Sequence, residues 1–131
     1  MAGNTKSFII DSSALIATLL PDERNTQFAL KLLKIIDSGN LLMAPQLLQF
    51  EVGNCLKSAT MSKRITKKEA EILFFTFANM QIMFLPIDKA ETLKISIDKN
   101  LTFYDSSYLY LAKANKCKLL TLDKALAKML Q

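Results

Sequence analysis

Ser7-Phe8-Ile9-Ile10-Asp11-Ser12-Ser13-Ala14-Leu15 is the stretch from which the fold can be read. Its strand-forming residues stop at a carboxylate, and Ala14 to Leu20 then reads as a helix that ends at Pro21-Asp22. A short strand that is apolar throughout belongs inside a sheet covered on both faces, which is how parallel sheets are built. The unit recurs along the chain. Leu41-Leu42-Met43-Ala44, Ile82-Met83-Phe84-Leu85 and Lys118-Leu119-Leu120-Thr121 are further short strands of the same kind.

Helical spacing fills the intervals. Phe28, Leu32, Leu33 and Ile36 recur at helical positions from Thr26 to Ile36, and Asp37-Ser38-Gly39-Asn40 closes that helix. Leu47 to Ser58 carries Leu48, Val52, Cys55 and Leu56 on one side. Thr66-Lys67-Lys68-Glu69 is a capping box opening a helix through Phe77, and Asp88-Lys89-Ala90-Glu91 repeats the pattern for a helix to about Lys99. Thr102 caps a helix from Phe103 to Asn115, and Lys124 to Leu130 forms the last. Strands alternating with helices long enough to serve as crossovers make an α/β sandwich around a mostly parallel sheet. Residues 1–131 are expected to form one domain.

Composition narrows the chemistry. The chain has 131 residues, half of them apolar, with 17 Lys and Arg against 12 Asp and Glu, and no histidine. Without imidazole there is no Ser-His-Asp or Cys-His nucleophile and no His-ligated zinc. Cys55 and Cys117 form no C-x-x-C pair, so a zinc knuckle and a dithiol redox motif are also excluded. No signal peptide and no membrane span are legible, and a reduced, cytoplasmic protein is expected.

Four acids stand out against this background. In an open α/β sheet, ligands bind outside the carboxyl ends of the strands. Asp11 directly follows the first strand and Asp123 the last. Glu51 lies near the start of a helix that follows a strand, and Asp105 lies in the first turn of another. Each alone has a plain structural explanation: a helix cap, an Asx-type turn or a favourable dipole contact. Together they are predicted at one end of one sheet. Two carboxylates about 5 Å apart repel by roughly 3 kcal/mol at an effective dielectric near 20, so such a group calls for something that neutralises it. Oxygen ligands without imidazole or thiolate favour Mg²⁺ or Mn²⁺, ions that assist in-line phosphoryl chemistry. Hydroxyls at Ser12, Ser13 or Thr121 are candidates to hydrogen-bond the ligands, or simply to cap helices.

Ile9-Ile10-Asp11-Ser12-Ser13-Ala14-Leu15, Phe50-Glu51-Val52-Gly53-Asn54, Tyr104-Asp105-Ser106-Ser107-Tyr108-Leu109 and Leu120-Thr121-Leu122-Asp123-Lys124 resemble the PIN-domain ribonucleases, and within them the VapC-like toxins of toxin–antitoxin systems. The similarity spans nearly the whole chain. It implies a three-layer α/β/α sandwich with a short, mostly parallel sheet of four to five strands. It further implies that Asp11, Glu51, Asp105 and Asp123 form an acidic metal pocket, with Mg²⁺- or Mn²⁺-dependent hydrolysis of RNA, homodimerisation, and inhibition by a cognate antitoxin. Thr121 matches a position where the family often has a hydroxyl.

Lys57, Lys63, Arg64, Lys67 and Lys68 gather around one inter-helix turn, where they are candidates for RNA phosphate contacts or a solvated face. Phe74, Phe75, Phe77, Tyr104, Tyr108 and Tyr110 are candidates for base stacking, although helical spacing favours core or interface packing, and Leu73-Phe74-Phe75 suits a subunit or antitoxin contact. Two phosphotransfer architectures fit less well. Receiver domains carry adjacent acids after the first strand and haloacid-dehalogenase-like phosphatases carry D-x-D, whereas Asp11 is followed by Ser12-Ser13. A non-catalytic PIN-like module that binds RNA or protein is the remaining alternative, and four intact acids weigh against it.

Overall fold

The computed structural model describes residues 5–130. Its centre is a sheet of β1 (Ser7–Ile10), β2 (Leu41–Pro45), β3 (Ile82–Leu85) and β4 (Lys118–Leu120), ordered β3-β2-β1-β4. Every pairing is parallel, so the expected mostly parallel sheet is wholly so among the described residues. The register sets Phe8 beside Leu42, Ile10 beside Leu120, and Pro45 beside Leu85.

Among the described residues, seven helices accompany the sheet: α1 (Ser12–Leu19), α2 (Gln27–Asp37), α3 (Leu47–Met61), α4 (Lys67–Ala78), α5 (Lys89–Lys99), α6 (Phe103–Ala114) and α7 (Lys124–Lys128). Side chains alternate across each strand and so supply two cores. Phe8, Ile10, Leu42 and Ala44 pack with Leu15, Leu48 and Val52 beneath α1 to α4. Ile9, Met43 and Leu119 pack with Tyr108, Leu109 and Leu126 on the other face. Each fully buried aliphatic side chain contributes about 1.5–3 kcal/mol. This is the three-layer sandwich that the resemblance implied.

Helix starts follow the polar residues read from the sequence. Thr66 accepts from the Glu69 amide while the Glu69 carboxylate accepts from the Thr66 amide, which completes the capping box. Thr26, Asp88 and Thr102 cap α2, α5 and α6 with their side-chain oxygens. Gly39, at φ +77°, provides the left-handed turn after α2 that an L side chain would strain. Helix α3 runs three residues beyond the expected Ser58, because Thr60 and Met61 continue the helix before the chain turns at Lys63.

The chain steps outward from β1 to β2 to β3 and returns to place β4 on the opposite side of β1. The strand order therefore reverses between β1 and β4, and open α/β sheets bind ligands in the crevice above such a point. The Asp11 amide donates to the Leu120 carbonyl at 3.1 Å, which holds the two strand ends side by side.

Candidate active site

Asp11 and Asp123 flank that crevice, each at the junction of a strand and a helix. Asp11 is buried and caps α1, its Oδ1 accepting from the Ala14 amide at 3.0 Å and the Ser13 hydroxyl at 2.7 Å. The Thr121 hydroxyl donates to Asp11 Oδ2 and accepts from the Asp123 amide at 3.0 Å. Ser13 Oγ in turn accepts from the Leu122 amide at 3.0 Å. A hydroxyl has one proton, and both Ser13 and Thr121 direct theirs at Asp11. Their 3.4 Å approach is therefore a packing contact rather than a further bond. One hydroxyl from each side of the switch point thus fixes the same carboxylate.

Asp123 caps α7 through Oδ1, which accepts from the Leu126 amide at 3.1 Å. Asp105 lies in the first turn of α6, behind the Thr102 cap. Burial raises the Asp105 carboxyl above its ordinary value, the charges of Asp123 and Asp11 add to the rise, and a hydrogen bond with Thr102 opposes it. Glu51 projects from the second turn of α3. Burial pushes its carboxyl up, hydrogen bonds from Tyr108 and Ser12 pull it back, and the charges of Asp105 and Asp11 raise it again. These couplings place all four acids in one electrostatic neighbourhood.

The Tyr108 hydroxyl donates to Glu51 Oε1 at 2.5 Å from a side chain only 1% exposed. Burial and this bond to a carboxylate raise the phenol well above its normal range, so it stays a donor. Sequence reasoning treated Tyr108 only as an aromatic. The available signal was its place one turn after Asp105 on α6, since a buried tyrosine needs a partner for its hydroxyl.

The hydroxyl predictions divide among three residues: Thr121 and Ser13 hold Asp11, and Ser12 supports Glu51. Among the predicted basic residues, Lys57 lines a cleft of about 690 Å³ together with Glu51, Asn54, Phe74 and Tyr104. Lys63, Arg64, Lys67 and Lys68 lie beyond the other end of α3, roughly 15 Å or more from Glu51 at 1.5 Å per helical residue. Arg64 is also engaged there. Its guanidinium donates to both Asp22 oxygens and to Glu23 at 2.8 Å, which depresses the Asp22 carboxyl.

The donor set fits a hard divalent cation: it consists of carboxylate oxygens that repel one another and are supported by hydroxyls. Among the described residues, no three Asp, Glu or Cys side chains stand close enough to hold one ion by themselves. Among those same residues, no helix is long and apolar enough to cross a membrane.

The family model of the PIN domain matches residues 8–129, which take in the whole sheet and all four acids. The chain belongs to the PIN-domain family. Similar proteins include VapC ribonuclease Mb0985 of Mycobacterium bovis, 26% identical over 119 residues that cover 91% of this chain and 87% of that protein. Ribonuclease VapC3 of Pyrobaculum aerophilum is 27% identical over 124 residues, covering 92% of each. Two solved structures share the fold of this PIN domain. PAE2754 from Pyrobaculum aerophilum superposes with a TM-score of 0.69 at 24% identity, covering 93% of this chain and 84% of that one. Mycobacterium tuberculosis VapC20, a sarcin-ricin loop cleaving toxin, gives 0.65 at 8% identity, covering 93% of this chain and 94% of that one.

Proposed function

We propose that this PIN domain is a metal-dependent endoribonuclease and the toxin component of a toxin–antitoxin pair. The observation that carries the reading is the convergence of Asp11, Glu51, Asp105 and Asp123 above the switch point, where burial and mutual repulsion raise two of the carboxyls. The ribonuclease names of the VapC relatives support the substrate class. The four acids would hold Mg²⁺ or Mn²⁺, which when bound supplies positive charge to phosphate oxygens and acidifies a water.

The chain's own groups prepare that chemistry. Thr121 and Ser13 fix Asp11, and Tyr108 anchors Glu51 through Oε1. Lys57, in the cleft beside Glu51, is placed to attract an RNA phosphate. Outside the four acids the chain carries 17 basic and 8 acidic side chains, so a basic exterior gathers RNA toward an acidic centre. Phe75, 71% exposed on α4, and Ile72 beside it leave an apolar face that suits a homodimer or the cognate antitoxin.

Purified protein free of any antitoxin, incubated with RNA and Mg²⁺ or Mn²⁺, is expected to cleave. Chelator and Asp105→Asn are each expected to abolish cleavage. Cleavage that survives chelation, or that equals wild type in the variant, refutes the metal mechanism. RNA binding without cleavage under any of these metal conditions would favour the non-catalytic module.

A further inference from the structure

Beside the acidic cleft lies a second hollow of about 440 Å³ at the carboxyl ends of β2 and β3, where Pro45 and Leu85 are the last strand residues. Tyr104 and Leu47 line both cavities, so the tyrosine forms a shared wall. Tyr104 is 61% exposed and immediately precedes Asp105, so the same helix turn positions the ring and the acid. We propose that this hollow receives one unpaired nucleobase of a single-stranded RNA, stacked on Tyr104 next to the scissile phosphate. The inference rests on the nuclease reading and names a subsite for its substrate.

The lining chemistry selects a base over a phosphate. Leu47, Leu85, Pro86, Ile87 and Phe103 offer apolar surface, and the hollow's volume falls within the roughly 300–1,000 Å³ typical of small-molecule sites. An aromatic ring at the wall stacks on the π-face that every base has. Polar groups for the base edge are present as well. Ser107 Oγ donates to the Tyr104 carbonyl at 2.6 Å and so keeps its lone pairs as acceptors. Gln46 Oε1 accepts from Gln49 at 2.5 Å, which leaves the Gln46 NH₂ as a donor.

Charge favours a nucleic acid strand over a polypeptide. Lys89 lines the hollow and Lys57 the cleft that share Tyr104 as a wall, so each cavity offers a positive charge to phosphates flanking a stacked base. Paired bases have their faces covered by neighbours, so a duplex has nothing to insert, whereas an unpaired base in a loop does.

Short single-stranded RNAs carrying 2-aminopurine, mixed with the full chain in chelator, test this without cleavage. Wild type is expected to quench the fluorescence, and the matching duplex is not. Tyr104→Ala is expected to weaken binding on the order of tenfold, while Tyr104→Phe, which keeps the ring, binds as wild type. With Mg²⁺, an abasic nucleotide beside the mapped cleavage point is expected to slow wild type by a similar factor and to add nothing in Tyr104→Ala. Tyr104→Ala binding RNA as tightly as wild type overturns the proposal and leaves the hollow to a polypeptide partner. Equal quenching by duplex overturns it too. Cleavage without quenching defeats the base site alone, whereas quenching without cleavage in any metal defeats the nuclease reading and keeps the site.

Discussion

Thr121→Val tests the hub that fixes Asp11. Valine keeps the shape of threonine but not its hydroxyl, so no cavity opens while two hydrogen bonds vanish. One of them runs to a buried carboxylate, where a hydrogen bond to a charged group contributes about 1.5–3 kcal/mol. The other comes from the amide of Asp123, an exposed residue for which water can substitute. Asp11 keeps its donors Ser13 and Ala14, which favours the lower end of the range. A loss of about 2 kcal/mol is therefore expected, or roughly 6–8 °C in melting temperature for a chain of this length. Thr121→Ser keeps both bonds and loses only a buried methyl, about 0.8 kcal/mol. Urea and thermal unfolding in chelator would measure both without any contribution from metal. A valine variant within about 0.5 kcal/mol of wild type, or a serine variant equally damaged, would refute the hub.

Asp105 has a folded-state pKa above its unfolded one, so the folded state holds the proton longer and stability falls as pH rises from about 4 through the folded value. Asp105→Asn is expected to flatten that fall and to make the metal-free protein more stable than wild type at pH 7. Pairing its melting curves across pH with an RNA cleavage assay checks this, and a less stable variant at pH 7 counts against the repulsion. Mg²⁺ or Mn²⁺ at about 100 times its Kd is expected to add about 2.7 kcal/mol to wild-type stability. Tyr108→Phe should weaken metal affinity by about 10- to 100-fold, read from the metal dependence of melting, and an unchanged midpoint would remove Tyr108 from its positioning role. If the exposed α4 face joins two copies as proposed, Phe75→Glu is expected to abolish self-association in sedimentation while leaving the melting temperature within about 2 °C, because the ring is already exposed.

The elements were legible because local and global signals agree in this chain. Runs such as Phe8-Ile9-Ile10 are apolar on both faces because the sheet has a core on each side, and periodicity reports that directly. Capping residues fixed the starts of α4, α5 and α6 for the same reason: their hydrogen bonds are local. The end of α3 was less clear, since a helix can run on until the backbone turns. The acids could be grouped because topology sends every strand's carboxyl end to the same edge. Their partners were legible only in part. Ser12, Ser13 and Thr121 could be named as candidate hydroxyls, but which acid each one holds could not, because Thr121 meets Asp11 across 110 residues, and Tyr108 meets Glu51 across 57, contacts that no window of sequence contains. The basic cluster is split between Lys57 in the cleft and four residues beyond α3 because sequence neighbours at the end of a long helix lie far from its beginning. Arg64 looked free until folding brought Asp22 and Glu23 against it.

Capping and ligand binding looked like rival explanations for Asp11 and Asp123, but the structure makes them one device. A carboxylate has about four lone-pair sites, and Asp123 gives one to the Leu126 amide while Asp11 takes three donors. Each retains acceptor capacity. In a parallel sheet, every helix that follows a strand begins at the edge where the strand ends, so α1, α3, α5 and α7 present their amino ends there, and α6 brings Asp105 in its first turn. Unsatisfied amides and the helix dipoles make that edge partly positive within about one turn, each worth roughly 0.3–1 kcal/mol to a nearby carboxylate. That field lowers the cost of bringing four acids together with no salt bridge to any of them among the described residues, yet burial, with their mutual repulsion added to it, still raises the carboxyls of Glu51 and Asp105. The residual imbalance is what a divalent cation would relieve. An edge fully neutralised by a salt bridge would be more stable and would have no reason to bind one.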